Sequence, residues 1–183
     1  MTKDVIITDR LILRNIGARD AETIATLIDN YKIAVMLARV PYPYKIEDAR
    51  QFIALTKDRP ADERVFALCL KNQAETLIGI CSYERRQSVE PELGYWLGEP
   101  YWGKGYMSEA VKAVIAQAFT VAGHECLVSG CRLQNLASRR VLEKAGFEHI
   151  GRYEIDSLVL KANVPGHRFN LTRERWQELS RCA

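Results

Sequence analysis

An α/β fold is predicted for this chain: one domain over residues 1–183, with a mixed sheet of six to seven strands and helices on both faces. Three observations predict it. Extended runs and helical apolar stripes interleave in the order βααβββαβαβ, with a further strand at the end. An extended run at 93–97 leads through Gly103-Lys104-Gly105 into a long amphipathic helix. A shorter helix, capped by Asn135 and stopped by Gly146, precedes two closing strands.

Residues 6–14 read as a first strand. Asp20 is a good N-cap for a helix with the apolar stripe Ala21, Ile24, Leu27, Ile28 and Tyr31. Val40-Pro41-Tyr42-Pro43-Tyr44 breaks regular structure. A second helix, 46–57, carries Ala49, Phe52, Ile53 and Thr56 on one side. Strands follow at 64–70 and 76–83, joined by a polar turn at 71–74, and at 90–97. The helix at 107–122 buries Met107, Val111, Val114, Ile115, Ala118 and Phe119, and Gly123 ends it. Residues 125–131 form a strand, and the helix after Asn135 turns Ser138, Val141, Leu142 and Ala145 inward. Strands at 147–155 and 157–171 close the sheet, and Thr172 caps a final helix to 179.

A length of 183 residues suffices for a real core, and 48% hydrophobic with 27% charged residues fits a globular protein. Twenty-six basic against 23 acidic residues give a net charge of +3, scattered along the chain, so no nucleic-acid partner is expected. Cys69, Cys81, Cys126 and Cys131 lie in strand-like runs and read as buried thiols; with Cys182 they form no C-x-x-C pair, so neither metal nor disulfide is expected. Residues 1–20 hold no apolar leader segment and no run approaches membrane length, so the cytoplasm is the expected location, with no membrane partner. A monomer or homodimer is expected.

The segment from Tyr101 to Ala110 carries the most chemistry. Helix N-terminal N–H groups and the helix dipole favour an anion, and glycines let the backbone approach it closely. A Walker loop requires four residues between its first Gly and Gly-Lys-Ser/Thr, and here Gly103 and Gly105 are one residue apart. A dinucleotide fingerprint requires a third Gly where Ser108 stands. A phosphorylated cofactor of another kind is one reading; a plain strand-to-helix turn with an exposed lysine is the other.

The glycine turn, the segment Asn135 to Phe147 and the order of elements together resemble the GNAT superfamily of acyl-CoA-dependent N-acetyltransferases, and within it ribosomal-protein N-acetyltransferases of the RimJ/RimL type. The resemblance runs from Thr8-Asp9-Arg10-Leu11-Ile12-Leu13-Arg14, through Pro41-Tyr42-Pro43-Tyr44 and Gly94-Tyr95-Trp96-Leu97, to Arg168–Trp176. It implies acetyl-CoA as co-substrate and no metal. The family's loop, Gln/Arg-x-x-Gly-x-Gly/Ala, maps onto Trp102, Gly105 and Met107, so two of its three positions depart. Backbone N–H groups of Gly103, Lys104, Gly105, Tyr106, Met107 and Ser108 are implied to hold the pyrophosphate. The Lys104 side chain either adds charge or is merely exposed. The strand Tyr95-Trp96-Leu97 is implied to pair with the pantetheine arm, and to splay from the strand at 127–131 so that the gap holds the thioester.

The reaction requires a neutral amine beside the thioester, a polarised carbonyl, removal of one proton and return of another to sulfur. A backbone N–H near Trp96 or Leu97 is the family's candidate for polarising the carbonyl. The family's usual tyrosine acid falls at Leu142, so it is missing. RimL-type members carry a serine matching Ser138, which is either the acid or an ordinary first-turn serine. Asn135 matches the asparagine that bonds the pantetheine region, and is also an N-cap. Glu92 is the candidate base, because period-two geometry puts it on one face with Gly94 and Trp96; a solvated carboxylate or a water chain is the alternative. Glu109 reads as a charge complementing the helix dipole. His124, His149 and His167 read as surface or turn residues.

Tyr31, Met36, Tyr42 and Tyr44 are expected to wall or lid the acceptor site, unless they pack as a loop. Glu47, Asp48, Glu84, Glu90 and Glu92 are spread along the sequence and announce no polyamine site. The expected acceptor is therefore a protein N-terminal α-amine, ribosomal by resemblance. A small amine (amino acid, antibiotic or polyamine) is the alternative, and a non-catalytic acyl-CoA-binding module is a third reading.

Overall fold

The structure, a computed structural model, describes residues 5–85 and 89–181. In chain order the elements are β1 (Ile6–Ile7), β2 (Leu11–Asn15), α1 (Ala21–Ile28), α2 (Tyr31–Ala34), α3 (Ile46–Leu55), β3 (Arg64–Leu70), β4 (Gln73–Glu84), β5 (Glu92–Leu97), α4 (Tyr106–Thr120), β6 (Cys126–Arg132), α5 (Leu136–Lys144), β7 (Glu148–Ser157), β8 (Ala162–Thr172) and α6 (Arg173–Arg181). The eight strands form one sheet in the order β1-β2-β3-β4-β5-β6-β8-β7. Every neighbouring pair is antiparallel except β5 and β6, which are parallel.

The eighth strand comes from the N-terminus. The run read as one strand is a hairpin, because the Thr8 N–H donates to the Leu11 carbonyl at 3.0 Å and the Leu11 N–H to the Thr8 hydroxyl at 3.1 Å. The first helix also stops early. Asn30 accepts the Lys32 N–H and starts a new short helix, so Tyr31 opens α2 instead of extending the stripe of α1. Asp20 makes no side-chain cap to α1; its carboxylate takes the Gly17 N–H and a buried ion pair with Arg14 at 2.7 Å. Thr172 does cap α6, accepting the Arg175 N–H.

Apolar layers lie on both faces of the sheet. Phe66, Tyr83, Leu93, Phe119, Leu127 and Phe169 belong to one, packed with α4 and α5. Ile24, Ile28, Ile53, Ala67, Leu77 and Ile80 belong to the other, packed with α1 and α3. Each fully buried large side chain contributes about 1.5–3 kcal/mol. The stripe expected of the helix after the glycine turn is buried throughout. Gly79 in β4 sets the position of β5: a Cβ there would sit 2.5 Å from the Trp96 carbonyl oxygen, so any side chain would push the strand away.

Cys69, Cys81 and Cys131 are buried, whereas Cys126 is only half-buried; Cys182 lies outside the described residues. His167 is interior in β8, against the expectation, whereas His124 lies in the turn after α4, as expected, though buried there. His124 is 2.6 Å from the Asp62 carbonyl and packs on Tyr83, and His167 bonds His149 at 2.9 Å beside Phe169. No helix among the described residues is long and apolar enough to cross a membrane.

Candidate active site

The glycine turn leaves β5 and enters α4. Gly103 and Gly105 have φ of +74° and +78°, the left-handed region where a side chain costs energy. The first helical bond runs from the Glu109 N–H to the Gly105 carbonyl at 3.2 Å, so the N–H groups of Tyr106, Met107 and Ser108 have no helical acceptor. A Cβ at Gly103 would meet nothing within 4 Å, so that side of the turn is open. Met107 turns into the core. The Trp102 indole N–H donates to the Leu97 carbonyl at 2.7 Å and ties the turn to the end of β5. Lys104 is exposed and its ammonium folds back onto the Pro100 carbonyl at 3.1 Å.

Two residues missed from sequence brace this turn. Arg10 donates from Nη1 to the Lys104 carbonyl at 2.8 Å and pairs with Glu109 at 2.7 Å. The Thr8 hydroxyl and the Arg10 N–H donate to the same carboxylate at 2.6 and 2.8 Å. Burial alone would raise the Glu109 pKa, but these bonds and the Arg10 charge outweigh it and hold the carboxyl below its ordinary value. Glu109 therefore does more than complement the helix dipole: it ties the N-terminal hairpin to the turn. The only sequence signal for this was the family-like run from Thr8 to Arg14.

Past the turn's upstream strand the sheet opens. β5 and β6 pair only at Glu92 and Val128, where the Val128 N–H donates to the Pro91 carbonyl at 3.0 Å. The Ser129 hydroxyl reaches the Leu93 carbonyl at 2.8 Å, and among the described residues no further β5–β6 pair forms. Gly94 to Leu97 thus pair with β4 on one edge and face a gap on the other. An open strand edge is a template for an extended ligand.

The two faces of β5 carry different groups. On the α4–α5 face the Tyr95 hydroxyl lies 2.8 Å from Ser138 Oγ. Asn135 accepts the Ser138 N–H at 3.0 Å and so is the N-cap of α5. Leu142, at the family's tyrosine position, is 0% exposed in the core. Glu92, Gly94 and Trp96 lie on the opposite face, cross-strand from Glu84, Ser82 and Ile80. Glu92 is 3.6 Å from Arg168, whose guanidinium lies over the Tyr153 ring at 5.3 Å. Burial, reinforced by the Glu92 charge, pushes the Tyr153 phenol up, with Arg168 working against it. Arg59 ion-pairs with Glu84 and lies 3.4 Å from Glu63. Acidic residues far apart in sequence thus meet on this face, but arginines accompany them.

Tyr31 and Tyr42 stack edge to face at 5.4 Å and are about half exposed, 49% and 47%. Met36 is half-buried. Tyr44 is not with them: it is 8% exposed in the α1–α3 layer, its phenol pushed up to about 12 by burial, with Asp48 adding to the shift. The segment from Asn30 to Ala38 is pinned at both ends. Asn30 and Lys32 bond Glu99 just before the glycine turn, while Arg132 donates to the Val35 carbonyl and the Leu158 N–H to the Ala38 carbonyl. It therefore reaches from the turn to the end of β6 and the β7–β8 connection. A cavity of about 310 Å³, bounded in part by Asn15, Lys57, Arg59, Glu63 and Arg64, opens at the Arg64 end of β3, beside the Arg59–Glu84 ion pair.

The profile of the acetyltransferase (GNAT) domain matches residues 10–148, and the chain belongs to that family. The N-acetyltransferase p20 of Bacillus licheniformis is 25% identical over 152 residues, 81% of this chain and 84% of that one. The ribosomal-protein-serine acetyltransferase of Escherichia coli is 33% identical over 75 residues, 40% of this chain and 42% of that one. The crystal structure of the ribosomal-protein-S5-alanine acetyltransferase from Vibrio fischeri superposes with a TM-score of 0.75 at 23% identity, over 94% of this chain and 98% of that one, which shows the shared fold.

Proposed function

We propose that this member of the GNAT acetyltransferase family, acting as one domain, moves an acetyl group from acetyl-CoA to the N-terminal α-amine of a protein, a ribosomal one. The amine attacks directly in a ternary complex. The single observation that carries the reading is the parting of β5 and β6 beside a turn of unpaired amides. The amides from Gly103 to Ser108 suit a pyrophosphate, and the open edge from Tyr95 to Leu97 suits the pantetheine amides. Ser138, capped by Asn135, borders the gap through Tyr95 on one face, and Glu92 lies on the other face of β5, at the end where the strands still pair. Ser138 serves the departing sulfur and Glu92 takes the amine's proton. Tyr31, Met36 and Tyr42 wall the acceptor side, and Tyr44 is left out of it, buried in the α1–α3 layer. The choice of a ribosomal acceptor is supported by the similarity to the Escherichia coli enzyme.

Incubation with acetyl-CoA and a panel of peptides, amino acids, polyamines and aminoglycosides, read by mass spectrometry, tests this. An acetyl group on the N-terminal α-amine of a peptide is the expected product. Acetylation of small amines alone would replace the acceptor reading, and binding without turnover would favour a non-catalytic acyl-CoA module.

A further inference from the structure

We propose that Tyr95 is a positioning residue for Ser138: its phenol donates to Ser138 Oγ and so frees the Ser138 hydroxyl hydrogen for the sulfur leaving the acetyl donor. The proposal rests on the reading of Ser138 as the acid. Leu142 is sealed in the core and brings no hydroxyl to the gap. Tyr95 does, from the opposite side of it. Its hydroxyl is 2.8 Å from Ser138 Oγ and 3.2 Å from the Ser138 carbonyl oxygen.

A hydroxyl has one hydrogen and two acceptor positions. The Tyr95 hydrogen has two acceptors, Ser138 Oγ at 2.8 Å and the Ser138 carbonyl at 3.2 Å; in the proposed orientation it goes to the nearer, Oγ, and occupies one of those positions. The Ser138 hydrogen must then point away from Tyr95. Burial pushes the Tyr95 phenol above its ordinary value and outweighs Ser138, whose hydroxyl would donate to a phenolate, so the protonated phenol is the favoured form. The backbone is fixed as well, because Asn135 holds the Ser138 N–H at 3.0 Å. The hydroxyl rotor is the remaining freedom, and Tyr95 sets it.

The step balances. The acceptor nitrogen bonds to the acetyl carbon, the carbon–sulfur pair goes to sulfur, and the Ser138 proton follows it. The nitrogen gives up one proton to the base and water, and water returns one to Ser138. Tyr95 keeps its own.

The test is a cycle of Tyr95→Phe, Ser138→Ala and the double variant in the full chain. It is assayed by thiol release from acetyl-CoA with the peptide that turns over fastest in the panel. Tyr95→Phe is expected to lower kcat about five- to tenfold, the worth of one oriented hydrogen bond, with the KM for acetyl-CoA changed less than about twofold. In the Ser138→Ala background the same change should alter kcat less than about twofold. Ser138→Thr, which keeps a hydroxyl, should restore the sensitivity to Tyr95→Phe. Equal losses in both backgrounds would mean that Tyr95 only packs, and no loss in the single variant would also overturn the proposal. An unchanged kcat in Ser138→Ala would overturn it through the Ser138 reading itself. Should Tyr95→Phe not fold, a polyfluorinated tyrosine at position 95, which keeps the ring and makes the phenol more acidic, should add an alkaline fall of kcat that the parent lacks and that disappears in the Ser138→Ala background; no added fall would overturn the proposal.

Discussion

Replacing Gly103 and Gly105 by alanine, one at a time, separates the glycine turn's role in folding from its role in binding. Both have φ in the left-handed region, +74° and +78°. The space around them is sufficient: a Cβ at 103 meets nothing within 4 Å, and one at 105 meets only Arg10 Nη2, at an ordinary contact distance of 3.4 Å. In the free protein each substitution therefore costs only the backbone preference, about 1–2 kcal/mol. For a domain of this size that is a fall in Tm of about 2–8 °C. Binding should suffer separately. If the amides of this turn hold a pyrophosphate, re-aiming one of them forfeits a charge-assisted hydrogen bond of about 1.5–3 kcal/mol. That is about a tenfold to 150-fold rise in Kd for acetyl-CoA. Thermal melting without ligand gives the first quantity and titration calorimetry the second. A lower Tm with an unchanged Kd in both variants would refute the assignment of the pyrophosphate to this turn.

Two further outcomes follow from the same geometry. Leu142→Tyr, which puts in the family's tyrosine in name, should not raise kcat above the parent's; the position is sealed in the core, and overpacking should cost about 1–3 kcal/mol, read as a lower Tm. The pH dependence of stability should change in Glu109→Gln. The folded carboxyl is held below its ordinary 4.5, so its bonds to Thr8 and Arg10 stabilise above that value and are lost as pH falls through the folded pKa. The parent should lose Tm more steeply below about pH 4.5 than the variant; parallel curves would show that the carboxylate bonds add nothing.

Local signals were legible where one element decides them. The stripe of α4 and the glycines at both its ends placed that helix to within two residues. Period-two spacing placed Glu92 and Trp96 on one face of β5. The hairpin at Thr8 was not legible, because a tight turn inside a run of aliphatic residues leaves the sequence pattern nearly intact. Nor was the break between α1 and α2, where Asn30 caps a new turn within what reads as one stripe. Contacts set by sheet register stayed hidden altogether. Arg10 meets Glu109 across 99 residues, and Tyr95 meets Ser138 across 43. Glu92 meets Arg168 because both β5 and β8 lie beside β6. No spacing along the chain encodes these meetings, since they arise from which strands become neighbours.

The central claim is that the turn and the opened strand edge hold acetyl-CoA. Its most direct test is a titration of the protein with acetyl-CoA followed at each backbone amide by NMR. Saturable shifts should concentrate at Gly103 to Ser108 and at Tyr95 to Leu97. Absence of saturable binding, or shifts confined to the cavity near Asn15 and Arg64, would contradict the account.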